Sequence, residues 1–509
     1  MVGGAGSARA GALGGRSQPP LVAGLVLAAG TLGLVATSKA SAAAEPAVFL
    51  AIPFLLLVSW MLLTSKPEFA LAILLLYLGL LDGVLKLSVS AGNELPGLGR
   101  DALLYAIAIG MVVRGVVRRE PLQVPPLTAW VVAWVAVVLV QVLNPDNGSV
   151  LHSVASVRQH LEFVPLFFIA YSIMRTRRRL RVFMMLLLVA AAVNGVVSLV
   201  QFNMSPDQLA SWGPGYDDLI NGKSSAAPRT AVGADGEQRT RPMALGSDMG
   251  FGGALGAIAI PAAFALLVGT SGGWRRLAPV AALGAGAALA VATSQSRSAV
   301  VAAVVGVIAF AALATVSRQA LKALAAVVVL GLASMFVITE IDDGGSFSRY
   351  ESITPKRIFA TTVKSREGSF QSIDDYLVSF PLGAGIGSVG PAAGVIDPPP
   401  FKGLGAENQL SFLIVEVGVP GLLLLIAFHA RLVGLVVRRI RRLASGELRL
   451  LLAALSAPLF ALLSLWVVGV NTTSTPSAPY LWFMAGILSY WLCGPGRRAA
   501  AEADRSASG

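Results

Sequence analysis

An all-α, polytopic membrane protein is the fold class this sequence predicts, on three observations. The 509-residue chain is 55% hydrophobic and only 13% charged, with a mean hydropathy of +0.73, where soluble proteins carry roughly 25% charged residues. Apolar runs near the ~20 residues needed to cross a bilayer recur along most of its length. The basic residues gather in alternate short loops between those runs, which is the positive-inside pattern. The net charge of +12 is therefore a topology signal and not a nucleic-acid surface. A single cysteine, Cys493, allows no intrachain disulfide and no Cys-based metal site. His152, His160 and His429 are too scattered for a zinc site, and His152 and His160 read as ordinary outer-loop residues.

Residues 1–20 are rich in Gly, Ala and Ser, carry Arg9 and Arg16, and read as a disordered cytoplasmic tail. The run at 21–37 is either a first span or the core of a signal peptide, with the SKASAAA that follows as a cleavage region. Further apolar runs lie at 48–64, 68–82, 101–117, 127–143, 159–175, 180–202, 249–269, 277–294, 299–316, 320–338, 410–434, 449–470 and 478–494, making fourteen spans. The third is short and the sixth begins with polar residues, so the expected number is 12–14.

Charge gives the orientation. With a cytoplasmic N-terminus, the inner loops hold Arg114, Arg118 and Arg119, then Arg175 to Arg181, Arg275 and Arg276, Arg318 and Lys322, Arg431 to Arg449, and Arg497 and Arg498. A miscount by one span would invert every later loop and break the rule. The expected organisation is therefore spans 1–11 over 21–338 with an outer loop at 203–247, a large extracytoplasmic loop at 339–409, spans 12–14 over 410–494, and a cytoplasmic tail at 495–509. Both outer loops exceed the ~12–15 residues beyond which unstructured connections are uncommon. In the second, Ile358, Val363, Phe370, Ile373, Tyr376, Leu377 and Phe380 have helical spacing, which predicts one or two helices over Arg357–Phe380 lying across the outer face.

Candidate chemistry sits on that outer side. The stretch Gly403–Ile426 passes from polar loop to apolar helix, with Glu407 at the mouth and Glu416 inside. A carboxylate in hydrocarbon is costly and faces a protein interior or a wet cavity. Glu407 is either a catalytic base or a helix N-terminal carboxylate, and Glu416 fits best as a structural group paired with a neighbouring span. Arg158, Arg241, Arg297, Arg349 and Arg357 lie outside, where topology does not call for them. Their guanidinium forks suit phosphate, and the competing reading is a salt bridge to an outer acid such as Asp248 or Glu351, or a contact with a lipid headgroup. Pro381–Gly387, PLGAGIG, follows no strand and reads as a tight turn bringing backbone close to the cavity. Arginines suit a diphosphate and a carboxylate suits a general base acting on a hydroxyl. A lipid-linked diphosphate sugar meets both requirements.

Four segments carry a resemblance. Glu407-Asn408 followed by Ile414-Val415-Glu416-Val417-Gly418-Val419-Pro420-Gly421-Leu422 is similar to a His-Asn pair followed by Leu-x-Glu-x-Gly-x-x-Gly-Leu. Ser296-Arg297-Ser298, Arg241–Gly256 (with Asp248 near a usual Asn) and Phe380–Gly387 match three further motifs in order and spacing. Over residues 155–435 the chain resembles the O-antigen ligase and O-antigen polymerase superfamily of bacterial membrane glycosyltransferases. The resemblance implies a multi-pass protein of the bacterial cytoplasmic membrane that moves glycan from an undecaprenyl-diphosphate donor to an acceptor hydroxyl. It implies no metal and no cofactor. Arg241 and Arg297 would hold the diphosphate, with Arg158, Arg349, Arg357, Asn408 and Glu416 in support. Glu407 stands where the family places histidine, which favours a polysaccharide polymerase, or a related ligase for exopolysaccharide or cell-wall glycan, over a lipid A-core ligase. The implied partners are the lipid-linked oligosaccharide, an acceptor glycan or lipid, the bilayer and a chain-length regulator, with no nucleic acid.

Two other classes compete. A flippase for lipid-linked oligosaccharides would also have many spans, but alternating access predicts repeated halves and a polar path through the midplane. No internal repeat is visible, and polar residues concentrate at the outer face. A non-catalytic assembly subunit is the other.

Overall fold

The computed structural model describes residues 45–88, 95–119, 123–144, 150–222, 230–232, 238–269, 274–314, 367–390, 393, 408–443, 446–467 and 469–497. The apolar runs at 21–37 and 320–338 lie outside these residues, as do Arg349, Arg357 and Glu407. The chain forms two compact units, Met1–Trp60 and Met61–Gly509. What is described of the first is part of helix α1 (Glu45–Leu63); everything below concerns the second.

The architecture is helical, with one small two-stranded antiparallel ribbon, Thr230–Val232 against Gln238–Thr240. Among the described residues seven helices are long and apolar enough to cross a membrane: Pro67–Ser88, Arg177–Phe202, Phe251–Gly269, Arg275–Thr293, Arg297–Ala314, Gln409–Arg442 and Gly446–Val467. Shorter apolar helices lie at Pro53–Leu63 and Thr128–Gln141.

In chain order, α2 (Pro67–Leu76) runs through a π-helical turn, Tyr77–Leu81, into α3 (Asp82–Ser88). Pro67 opens α2, where its missing N–H costs nothing. This helix extends past the expected end at residue 82, because Asp82 and Lys86 find partners inside the protein. Then come α4 (Leu95–Val117), α5 (Thr128–Gln141), α6 (Val150–Leu161) and α7 (Pro165–Ile173). The expected single span at 159–175 is broken at residues 162–164, because Pro165 cannot donate into the preceding turn and starts a new helix.

The long helix α8 (Arg177–Phe202) follows, then two short helices, α9 (Pro206–Ala210) and α10 (Pro214–Asn221), in the expected loop at 203–247. They pack Leu209, Tyr216 and Ile220 against Leu87 and Met243. Helices α11 (Phe251–Gly269), α12 (Trp274–Thr293) and α13 (Arg297–Ala314) come next. Helix α14 (Glu367–Ser379) falls within the region expected to be helical. The chain closes with α15 (Gln409–Arg439), α16 (Gly446–Ser464) and α17 (Ser477–Leu488).

The two ends of this bundle differ in chemistry. Helix α8 has 26 residues and is therefore about 39 Å long at 1.5 Å per residue. At its start, Arg177 and Arg181 both bond Glu447, and Arg179 lies 3.6 Å from Glu68. Arginines there also cap helix C-termini, a role that suits cations. Arg114 donates to the Leu62 carbonyl at 2.8 Å, Arg441 donates twice to that of Ala312, and Arg439 donates to that of Leu492. At the far end of α8 lie buried amides, hydroxyls and carboxylates together with Arg100, Arg158 and Arg297, and the candidate site is built there.

Candidate functional site

Helix α15 organises this end. Asn408 caps it by accepting a hydrogen bond from the Ser411 N–H at 2.9 Å. The helix then breaks at Gly418, which adopts φ 69° and ψ −178°, a region open in practice only to glycine. The break separates two backbone groups that an unbroken helix would pair, and the PLGAGIG loop takes both. The Ala384 N–H donates to the Val415 carbonyl at 2.7 Å, and the Val419 N–H donates to the Pro381 carbonyl at 3.0 Å. Gly383 lies directly against Gly418; a Cβ on Gly418 would fall 2.4 Å from the Leu382 carbonyl carbon.

Glu416 holds the rest of that loop. Its carboxylate accepts from the N–H groups of Gly387 at 2.6 Å and Val389 at 2.8 Å, and lies 3.1 Å from His160 Nε2. All of these groups are buried. Gln141 and Asn144 at the end of α5 donate to the Leu382 and Gly383 carbonyls at 2.5 and 3.2 Å. Glu416 thus meets the interior partners that an acid within an apolar run requires. His160 corrects the outer-loop expectation: it is buried between Trp134 and Phe412.

The segments around Arg241 and Arg297 converge on one cavity of about 170 Å3. Asp248, Ser296, Ser298, Asn471, Ser474 and Thr475 line its polar part, and Ile258, Ala302, Ala461 and Leu465 its apolar part. Arg297 is the first residue of α13, between the two lining serines, whose hydroxyls are 2.9 Å apart. Gly250 allows the close approach, since a Cβ there would lie 3.3 Å from Ser296. Arg241 heads a segment fixed by two buried amides of α8. Gln201 accepts from the Met243 and Ala244 N–H groups and donates to the Ala244 carbonyl; Asn194 accepts from Leu245 N–H at 3.0 Å. These bonds hold Ala244 at φ 56°, and Gln295 beside the serine turn has φ 51°. Non-glycine residues hold such angles only where their surroundings enforce them.

Gln409 joins the two halves. Its side-chain oxygen accepts from the N–H groups of Asn471 and Thr472 at 2.7 and 3.0 Å, and its nitrogen donates to the Thr472 hydroxyl at 2.7 Å. The helix mouth after Glu407 is thereby tied to the wall of the cavity. Glu407 itself precedes the capping Asn408 and lies outside the described residues, with Arg349 and Arg357.

Arg158 belongs to a different cluster, a buried ion network that the sequence did not reveal. Its Nε donates to Asp101 at 2.6 Å. Arg100, buried at the start of α4, bonds Asp82 at 3.0 Å and Glu162, lies 3.6 Å from Asp101, and has its guanidinium 5.2 Å from the Phe163 ring centre. Lys86 stands 3.9 Å from Asp82. Three carboxylates thus face three cations. This is the salt-bridge reading of Arg158, with Asp101 as the partner in place of an outer-loop acid.

No protein-family model, curated protein or solved structure matches this chain.

Proposed function

We propose that the chain is a membrane glycosyltransferase that transfers or polymerises glycan from an undecaprenyl-diphosphate donor onto an acceptor hydroxyl at the outer face of the bacterial cytoplasmic membrane. In this reading the chain spans the membrane fourteen times, its arginine-rich end is cytoplasmic, and the cavity beside Ser296 opens outward. One observation carries the reading. Separate sequence segments that resemble a single enzyme superfamily come together, two around one polar cavity and two around Glu416, with Gln409 bridging them. The cavity is polar on one side and apolar on the other, which suits a lipid-linked diphosphate.

Arg241 and Arg297 stabilise the departing diphosphate in this mechanism. Glu407 accepts the proton of the attacking hydroxyl. Attack opposite the leaving group inverts the anomeric centre. The test supplies purified protein with a lipid-linked repeat unit and follows product length. Loss of extension in both Glu407→Gln and Arg297→Ala is the expected result, and normal rates in both overturn the assignment.

A flippase remains the second reading, supported by the Asp82–Arg100–Glu162 network, since ionisable groups inside a membrane often mark transport paths. Deletion of the gene separates the two: an enzyme leaves lipid-linked units on the outer face, and a flippase leaves them on the inner face.

A further inference from the structure

At the arginine-rich end, far from the cavity beside Ser296, lies a second cavity of about 400 Å3, within the ~300–1,000 Å3 range of small-molecule sites. It sits where α8, α11, α12 and α16 meet. Arg181, Arg276 and Glu447 supply its charged side, and Leu266, Leu450 and Leu451 its apolar side. Glu447 does not neutralise it, because that carboxylate is already shared by Arg177 and Arg181. Arg276, exposed in the first turn of α12, makes no ion pair among the described residues. The result is a positively charged pocket whose apolar wall continues onto α11 and α16, two of the helices apolar enough to span a membrane.

We propose that this cavity binds the phosphate of an anionic phospholipid, with Arg181 and Arg276 taking the phosphodiester and an acyl chain lying along Leu266 and Leu450. Two guanidinium groups can hold one phosphate through several charge-assisted hydrogen bonds. Basic pockets between membrane helices select anionic headgroups for the same reason. A soluble phosphate compound would satisfy the arginines but leave the leucine wall uncovered, so the lipid satisfies both sides. The proposal rests on the chain being a membrane protein and is independent of which reaction it performs.

The experiment uses the full chain purified in a neutral detergent, with thermal unfolding and native mass spectrometry as readouts. Phosphatidylglycerol, phosphatidylcholine of the same acyl composition, glycerol 3-phosphate and inorganic phosphate are titrated separately. Expected is a saturable rise in Tm and a retained lipid adduct with phosphatidylglycerol only. In Arg276→Ala the affinity for it falls at least fivefold, in Arg276→Glu it is lost, and Arg276→Lys recovers part of it. Tm in phosphatidylcholine reports whether each variant is folded, and Leu450→Trp, which fills the cavity without touching the charges, provides a second block. Equal responses to the two phospholipids overturn the proposal. So does wild-type affinity in both Arg276→Glu and Leu450→Trp, and so does an equal rise with inorganic phosphate, which would make this a site for the free ion.

Discussion

His160 Nε2 and Glu416 Oε2 meet at 3.1 Å in the interior, although 256 residues separate them in sequence. The same carboxylate receives the Gly387 and Val389 N–H groups. One side chain therefore fixes helix α6 and the glycine-rich loop to α15. Glu416→Ala orphans two backbone donors and the imidazole, and each buried group left without its partner costs about 1–3 kcal/mol. The expected outcome is a large fall in Tm and early proteolysis near residue 385. Glu416→Gln, which keeps an acceptor, should fall between. A double-mutant cycle with His160→Gln should show a coupling of about 0.5–3 kcal/mol; additivity would show that the contact carries no energy.

Two glycines in the same helix give a controlled comparison. A Cβ at Gly418 meets backbone of Leu382 and Gly383 at under 3 Å, and the φ of 69° is itself unfavourable for alanine. Nothing lies within 4 Å of the corresponding position at Gly434. Gly418→Ala should therefore abolish the loop's docking and lower the yield of folded protein. Gly434→Ala should stabilise by roughly 0.5–1 kcal/mol, the ordinary difference between the two residues in a helix. Similar Tm values for both variants would remove the argument that the break at Gly418 is required.

The apolar runs made the helices legible, because hydrocarbon forces every backbone group to be satisfied within a helix. A lone acid in an apolar run, as at Glu416, also signals that an interior partner is needed. The identity of that partner was not legible: His160 lies far away in sequence and looks like any loop residue until the bundle closes. The buried network escaped for a related reason. Asp82 and Arg100 sit 18 positions apart on different helices, and an average over an apolar window hides single charges. Gln201 and Asn194 were missed likewise, as isolated amides whose task is to hold another segment's backbone.

Tyr216 predicts a pH dependence in the short helices after α8. Burial pushes its phenol up to about 12, and its hydroxyl has no hydrogen-bond partner among the described residues. The native form therefore keeps its proton longer than the unfolded chain, which ionises near pH 10. The stability contribution is complete below pH 10 and is lost as pH rises toward 12, at about 1.4 kcal/mol per pH unit. Tyr216→Phe should flatten that fall, measured as Tm between pH 9 and 12, and leave neutral-pH stability unchanged or slightly improved.

Arg100 is expected to tolerate no simple replacement. Its one fork reaches both Asp82 and Glu162, which the single point charge of lysine cannot do. Arg100→Lys and Arg100→Ala should both reduce folded protein, the second by about 3–5 kcal/mol. Adding Asp82→Asn to Arg100→Met should recover part of the loss by removing a stranded carboxylate. Yield in the membrane fraction and Tm in detergent measure it; no recovery in the double variant would mean that the fork's contacts to Glu162 and Asp101 dominate.

Gln409 separates the roles of its neighbours. Its amide makes three hydrogen bonds to Asn471 and Thr472, and Asn471 lines the cavity beside Ser296. Gln409→Leu keeps the shape of the side chain but leaves two backbone N–H groups without their acceptor, at about 1–3 kcal/mol each where water cannot reach them. The loop should shift and, on the proposed function, turnover on a lipid-linked repeat unit should drop at least tenfold, because a displacement near 1 Å can cost 100-fold in rate. Gln409→Glu keeps the acceptor and should retain more activity than Gln409→Leu. On the proposed mechanism Glu407→Gln should behave differently again, losing turnover while the hydrogen bonds of Gln409 stay in place. If Gln409→Leu loses stability and keeps full turnover, the tie between the helix mouth and the cavity wall is structural only, and Glu407 has no demonstrated route to the bound substrate.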